Sequence, residues 1–90
     1  MYAVINKFKV EKKHQKAFIK ETKNIWIKNY RKSPGFVKTI ILSKGDEFLT
    51  IDLWKSKKYP DRFFKKNLKT LEEANNVPTR YISRKSYVMI

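Results

Sequence analysis

The chain has 90 residues and a formal net charge of +14, with one histidine and no cysteine. This length is that of one small domain, and the composition excludes disulfides, thiolate nucleophiles and metal sites built from several Cys or His of one chain. Its hydrophobic stretches are too short to span a bilayer, and its N-terminus lacks the pattern of a signal peptide. We therefore predict one domain over residues 1–90, cytoplasmic and without a membrane contact.

The first two predicted elements are a strand and a long helix. Tyr2 to Val10 is rich in β-branched and aromatic residues, which is typical of a strand. From about Glu11 to Lys32 apolar residues recur at helical spacing. Ser33-Pro34-Gly35 ends this helix, because Pro disfavours helical geometry in the residue before it and Gly permits a reversal. The inward side of the helix is predicted to carry Phe18, Thr22, Ile25, Trp26 and Asn29.

A hairpin follows the first helix. Phe36 to Ser43 and Phe48 to Trp54 have the composition of strands, and Gly45 in the short connection can adopt positive φ. Two strands joined by so short a loop are antiparallel neighbours. In the second of them the side chains of Leu49, Ile51 and Leu53 alternate with those of Phe48, Thr50, Asp52 and Trp54.

The remaining elements are a second helix and a last strand. Ser56 is predicted to cap the helix, and Pro60 is tolerated in its first turn. The stretch from Glu72 to Pro78 ends the helix, and Thr79 to Ile90 is the last strand. The buried side of the helix is predicted to consist of Phe63, Phe64, Leu68 and Leu71.

This β-α-β-β-α-β order predicts an α+β, ferredoxin-like fold. Right-handed crossovers place both helices on one face of a four-stranded antiparallel sheet. The opposite face then exposes apolar side chains, and pairing with a second copy would bury them. We therefore predict a homodimer through the sheet face, with Tyr81 and Tyr87 of the last strand in the interface.

Three segments resemble the antibiotic biosynthesis monooxygenase family, a group of dimeric α/β barrels. They are the stretch from Val4 to Val10, Pro34-Gly35-Phe36 before the second strand, and Leu53-Trp54-Lys55-Ser56-Lys57 after the third. The resemblance implies a homodimer whose sheets close into a barrel, with a cavity between each sheet and its helices. Members of the family include cofactor-independent oxygenases that act on aromatic polyketides, and haem-degrading monooxygenases.

The haem-degrading branch of the family uses an Asn on the first strand, a Trp in the second helix and a later His as iron ligand. Asn6 matches the first of these, but Phe63 stands at the position of the Trp. No histidine occurs between Lys55 and Asn76, and His14 lies at the start of the first helix. Because imidazole is the ordinary haem ligand of such sites, haem degradation is disfavoured, and we predict neither a cofactor nor a metal.

Asn6 is the predicted catalytic residue, because it lies between Val4 and Phe8 on one strand face. A buried amide needs hydrogen-bond partners. It either bonds to nearby backbone or orients a substrate carbonyl or peroxide in a cavity. The predicted cavity walls are Phe8, Trp26, Trp54 and Phe63. Packing in the core is the alternative for Trp26, Trp54 and Phe63, and it is the favoured one for Trp54.

Asp52 is the only carboxylate predicted to lie inside a strand. It could act as a general base. The alternative is a salt bridge to Arg84 or Lys85, and this is favoured because no second catalytic group stands near it in the sequence.

These observations support three hypotheses of function. The leading one is a small monooxygenase of this family that acts on an apolar or aromatic small molecule. The second is a non-catalytic protein of the same fold that binds a small ligand or haem. The third is a nucleic-acid-binding domain that uses the positive charge. It is disfavoured because the third strand lacks the aromatic RNA-binding pattern and lysines occur throughout the chain, which also suits a compositional bias.

Overall fold

The computed structural model describes residues 1–90 and contains one four-stranded sheet. Its strands are Tyr2–Lys9 (β1), Phe36–Lys44 (β2), Glu47–Trp54 (β3) and Arg80–Val88 (β4). They lie in the order β2-β3-β1-β4, and every neighbouring pair is antiparallel. This order confirms the predicted ferredoxin-like α+β fold.

The first helix covers residues 15–31 and changes its geometry midway. A short 3-10 turn at Lys12–His14 precedes it, and its central segment, Thr22–Ile27, is π-helical. The sequence pattern did not predict this segment. Because a π turn is wider than an α turn, it shifts which residues face the sheet. Ile27 and Tyr30 are buried, whereas the predicted inward residues Ile25, Trp26 and Asn29 are only partly buried.

The second helix is Lys58–Glu73, and its start differs from the prediction. Ser56 is not its cap: the residue before the helix is Lys57, which makes no capping side-chain hydrogen bond. Pro60 is buried in the first turn, where a missing N–H group costs little. Neither helix has the length and apolar character needed to cross a membrane.

Both helices pack against the same face of the sheet, and the buried side chains there form two clusters. One helix contributes Ile27 and Tyr30 to the larger cluster, and the other contributes Phe63 and Leu71. The smaller cluster lies farther along the sheet, at Val10, Phe18 and Phe48. Between these two clusters the interior is not filled and leaves a cavity.

The outer face of the sheet, opposite the helices, is largely apolar and uncovered, with Lys7, Lys38 and Lys85 among its apolar side chains. Ile40 and Leu42 of β2 are 36% and 48% exposed, and Tyr87 of β4 is 51% exposed. Their register neighbours on this face include Leu49, Ile51, Ala3 and Ile5.

Tyr81 is not on this outer face, contrary to the prediction. A bulge shifts the β1–β4 register so that Lys7 is opposite Ser83 and Phe8 is opposite Tyr81. Tyr81 therefore lies on the helix side with Phe8, and their ring centroids are 5.6 Å apart. Of the two tyrosines, only Tyr87 lies on the outer face.

Candidate functional site

A cavity of about 260 Å³ separates the two core clusters and lies between the sheet and both helices. This volume is slightly below the range of about 300–1,000 Å³ that is usual for small-molecule sites. The sheet contributes Asn6, Phe8, Thr50, Asp52, Tyr81 and Arg84 to its walls. The first helix contributes Phe18, Thr22, Trp26 and Tyr30, and the second contributes Phe64, Leu68 and Glu72. Asn75 and Thr79 complete it from the loop before β4.

The polar residues of the sheet form a row across three strands. Asn6 of β1 is opposite Thr50 of β3 on one side and Arg84 of β4 on the other. Asp52 is two residues beyond Thr50 and therefore projects from the same face. Antiparallel pairing thus brings an amide, a hydroxyl, a carboxyl and a guanidinium group to one cavity.

Asn6 is 7% exposed, yet its amide takes part in none of the side-chain hydrogen bonds of the chain. The alternative in which Asn6 is bonded to nearby backbone is therefore wrong for this structure. Its amide atoms are not among the enclosed atoms that lack a partner, so they are open to the cavity, where water or a ligand can hydrogen-bond to them. Its two N–H donors and its carbonyl oxygen are available to the contents of the cavity.

Asp52 is 1% exposed and is held from one side only. The Thr39 hydroxyl of β2 donates a hydrogen bond of 2.7 Å to its Oδ1 atom, and its Oδ2 atom has no hydrogen-bond partner. The favoured salt bridge is not formed, since no cation of the chain lies within ion-pair distance of this carboxylate. Lys85 is opposite Ile5 and so belongs to the outer face, which explains why it is not a partner.

Burial raises the pKa of Asp52 from 3.8 to about 6. The hydrogen bond from Thr39 and the positive charge of Arg84 both act in the opposite direction, because each favours the charged form. Tyr30 also favours this form, although no hydrogen bond of ordinary geometry joins it to Oδ2. The carboxyl group therefore titrates close to neutral pH.

Tyr30 connects the cavity to the larger core cluster. Its ring lies 5.5 Å from that of Trp54 and 4.9 Å from that of Phe63, measured between centroids. Burial, and then the negative charge of Asp52, raise the pKa of the Tyr30 hydroxyl well above its usual value. Tyr30 is therefore neutral at physiological pH and presents a hydroxyl group that can donate a hydrogen bond.

Arg84 lies at the edge of the cavity with its guanidinium carbon 3.8 Å from the centre of the Phe64 ring. A guanidinium group stacked on an aromatic ring is held in place without an acidic partner. All of its charge remains available to favour a negative charge nearby, either on Asp52 or on a ligand.

Of the predicted site residues, the structure brings Asn6, Phe8 and Trp26 together in the cavity. Trp54 and Phe63 do not line it. Trp54 has no exposed surface and packs against Phe63 at a centroid distance of 5.9 Å, inside the larger core cluster. The reason is depth along the sheet: Trp54 is opposite Tyr2, two rows of side chains away from Asn6.

Several lining residues were missed because they become neighbours only through the fold. Thr50 could have been found, since it interrupts the apolar alternation of β3 in the same way that Asn6 interrupts that of β1. Tyr30 follows Trp26 at helical spacing, which was a usable signal. Arg84 was expected only as a possible ion-pair partner of Asp52, although plain alternation along β4 places it on the helix side. Tyr81 could not have been placed, because the bulge between Ser83 and Tyr81 decides on which face it lies.

The chemistry of this cavity is that of an aromatic pocket with a few polar groups. No three His, Cys, Asp or Glu side chains are grouped so as to hold a metal ion. His14 is placed outside it, beside a different depression that Lys9, Glu11 and Arg80 also line. Aromatic walls with a few converging polar groups are the usual features of a small-molecule site.

Comparison with known proteins supports the fold but not a sequence relationship. No family model and no curated protein matches the sequence. Among solved structures, MupZ from Pseudomonas fluorescens superposes with a TM-score of 0.77 at 14% identity. The match covers 94% of this chain and 65% of the MupZ chain, so this chain spans less than two thirds of that protein.

Two further structures match over almost their whole length. One, from Nitrosomonas europaea, is provisionally described as an antibiotic biosynthesis monooxygenase; it has a TM-score of 0.73 at 18% identity and coverage of 100% and 99%. SnoaB, a cofactor-independent oxygenase from Streptomyces nogalater, has a TM-score of 0.68 at 14% identity and coverage of 99% and 92%. The resemblance to antibiotic biosynthesis monooxygenases noted in the sequence is therefore confirmed at the level of the fold.

Proposed function

We propose that this chain is a small monooxygenase that needs no cofactor and acts on an apolar or aromatic small molecule. The observation that carries the proposal is Asn6, a buried amide without a partner, among the aromatic side chains of the cavity. The shared fold with SnoaB, described as a cofactor-independent oxygenase, supports the same reaction class. The substrate class is an aromatic ketone with an acidic C–H group, since such a molecule can react with dioxygen through its own carbanion.

The proposed reaction makes few demands on the protein. Loss of a proton from the CH₂ group leaves an electron pair that is delocalised onto the carbonyl oxygen. This carbanion reduces dioxygen and forms a C–O bond, which gives a hydroperoxide after protonation. Loss of water then leaves a second ketone, so that one CH₂ group and one O₂ become one C=O group and one H₂O.

Asn6 has a defined role in this scheme. Its N–H donors are proposed to bond to the substrate carbonyl oxygen, which gains negative charge as the proton leaves. Phe8, Trp26 and Phe64 surround the molecule and keep water away, which strengthens this hydrogen bond. The cavity thus orients the substrate and stabilises the anion, while the substrate and dioxygen supply the redox chemistry.

Oxygen uptake with anthrone, a flat aromatic ketone with an acidic CH₂ group, tests the proposal. We expect protein-dependent uptake with anthraquinone as product. Asn6→Ala should lower the rate about 100-fold, as the loss of one such donor commonly does. Asn24→Ala, at an exposed position of the first helix, is the matched control and should leave the rate unchanged. Absence of protein-dependent uptake, or equal rates for Asn6→Ala and wild type, would contradict the proposal.

The active form is proposed to be a homodimer that forms through the outer face of the sheet. Ile40, Leu42 and Tyr87 are exposed on that face, and both helices pack on the other one. A largely apolar, uncovered sheet face on a small domain is typical of a protein interface, although Lys7, Lys38 and Lys85 interrupt this one. Two copies that bury it would leave each cavity intact on the far side of its own sheet.

A further inference from the structure

We infer that Asp52 is the general base that removes the proton from the substrate, and that Thr39 positions its carboxylate for this step. The inference rests on the proposed function, because it names the proton acceptor of that reaction. Its basis is the placement of one buried carboxyl group at the cavity wall, held at one oxygen and free at the other.

The hydrogen bonding of Asp52 separates the roles of its two oxygens. Oδ1 accepts the 2.7 Å hydrogen bond from the Thr39 hydroxyl, which fixes the orientation of the carboxyl group. Oδ2 is buried and accepts no hydrogen bond. Unsatisfied buried oxygens are rare in folded proteins and often mark a catalytic site. Oδ2 has almost no accessible surface in this structure, and the Tyr30 side chain lies beside the carboxyl group. A bound substrate must therefore displace the Tyr30 hydroxyl before this oxygen can accept its proton.

The other groups around Asp52 favour this role. Arg84 from β4 favours the charged carboxylate without pairing with it, and Tyr30 from the first helix is neutral. Glu72, from the second helix, also lines the cavity. On β1 the residue opposite Asp52 is Val4, which carries no charge. No neighbouring cation is close enough to occupy Oδ2 in the way an ion pair would.

The protonation state of Asp52 agrees with the same role. Because burial raises its pKa to about 6, the group is ionised at neutral pH and is more basic than an exposed aspartate. A general base is most effective when its pKa lies near the working pH.

In the proposed step, the substrate C–H bond breaks and its proton passes to Oδ2 of Asp52. The electron pair of that bond stays on carbon and spreads onto the carbonyl oxygen, where Asn6 donates its hydrogen bond. After dioxygen has accepted the electrons and bonded to carbon, the peroxide oxygen takes the proton back from Asp52. The carboxylate is thus restored at the end of each turnover, and dioxygen is the only oxidant.

The step can be measured without oxygenation. Under anaerobic conditions in D₂O, the wild-type protein should accelerate the exchange of the anthrone CH₂ protons for deuterium. The loss of their NMR signal measures the rate of this exchange. Asp52→Asn should lower this acceleration about 100-fold or more, the usual contribution of a general base. Asp46→Asn changes an exposed aspartate in the hairpin loop. With this variant the anthrone CH₂ protons should exchange at the wild-type rate.

The pH profile of exchange distinguishes catalysis from a structural role. In the wild type the protein-dependent rate should rise with pH through a midpoint near 6, as Asp52 loses its proton. Thr39→Val removes a donor that favours the charged form, so its midpoint should move to higher pH, and Thr39→Ser should restore it. If Thr39 were only structural, the rate would change without movement of the midpoint.

The possible results separate the inference from the proposed function. Oxygen uptake together with wild-type exchange in a folded Asp52→Asn protein overturns the role of Asp52 and leaves the monooxygenase proposal standing. Accelerated exchange that depends on Asp52, without oxygen uptake, supports the base and contradicts the monooxygenase. No accelerated exchange by the wild type, or a profile with no midpoint near 6, also overturns the inference.

Discussion

Asp52 has a consequence for stability that is independent of catalysis. Its pKa is about 6 in the folded chain and 3.8 in the ordinary, solvated state that the unfolded chain approximates. Between about pH 4 and pH 6 the folded chain therefore binds more protons than the unfolded chain. The free energy of unfolding should fall as pH rises through this window and level off above about pH 7. The difference between the two pKa values corresponds to about 3 kcal/mol.

We predict that Asp52→Asn stabilises the protein at neutral pH. The substitution keeps the shape of the side chain and removes the desolvated charge, so the free energy of unfolding should increase by up to about 3 kcal/mol at pH 7.5. Urea unfolding at pH 4 and at pH 7.5 measures this. In the wild type the free energy of unfolding should differ between the two pH values, and Asp52→Asn should lose most of this difference. Asp46→Asn, which changes an exposed carboxyl group, should retain it; equal pH dependence in the wild type and Asp52→Asn would contradict the account.

Residues were predictable from the sequence where their chemistry conflicted with their neighbours. Asn6 is polar between Val4 and Phe8, and this conflict alone indicated a special position. Trp54 and Phe63 carried no such conflict, because large aromatic side chains are common both in a packed core and in the wall of a cavity. The sequence indicates on which face such a side chain lies, but its depth along the sheet depends on packing against Tyr30.

Among the elements, the first helix shows how local geometry positions the site. Its π-helical segment carries Thr22 and Trp26 into the cavity wall and turns Tyr30 towards Asp52. Such segments are rare and often occur at functional sites. The sequence pattern predicted a regular helix here, because hydrophobic spacing cannot distinguish a single wide turn from its surroundings. That this segment is helical was therefore predictable, whereas the orientation of its central side chains relative to the sheet was not.

The junction between the first helix and β2 depends on Gly35, which has a φ of +79°. A Cβ atom at this position would collide with ring carbons of Tyr59 in the second helix. We predict that Gly35→Ala lowers the free energy of unfolding by about 3 kcal/mol or more, from backbone strain and this collision together.

Gly45→Ala is the matched control for this prediction. Gly45 also has positive φ, at +61°, but a Cβ atom there would meet nothing within 4 Å. Its substitution should therefore cost only the backbone term, about 1–2 kcal/mol. Thermal unfolding of both variants measures the difference. Equal losses would show that the approach of Tyr59 to Gly35 does not constrain the second helix.

For the whole molecule, the uncovered outer face leads to a prediction about assembly. We expect native mass measurement at micromolar concentration to give twice the mass of one chain. Leu42→Asp places a charge on a side chain that is 48% exposed on this face and should yield monomers. Ala17→Asp makes a similar change on the exposed side of the first helix and should leave the dimer intact. A monomeric wild type would contradict the proposed interface.

The overall topology was predictable because it follows from period and connection length. Alternation in four segments, two helical stretches and one short loop permit few arrangements of the chain. The cavity was only partly predictable, because its volume is the space left by six elements that pack imperfectly around Asn6. The proposed substrate class rests on the groups that meet there and not on any one motif.

Binding of anthrone in the cavity is the most direct test of the account, and the two tryptophans provide an internal comparison. Trp26 lines the cavity, whereas Trp54 is fully buried outside it. In an anaerobic NMR titration of ¹⁵N-labelled protein, the signals of the Trp26 indole and the Asn6 amide should shift and saturate with anthrone concentration, while the Trp54 indole shifts little. Saturable shifts confined to outer-face residues such as Leu42 and Tyr87, with Trp26 and Asn6 unchanged, would contradict the assignment of this cavity as the active site.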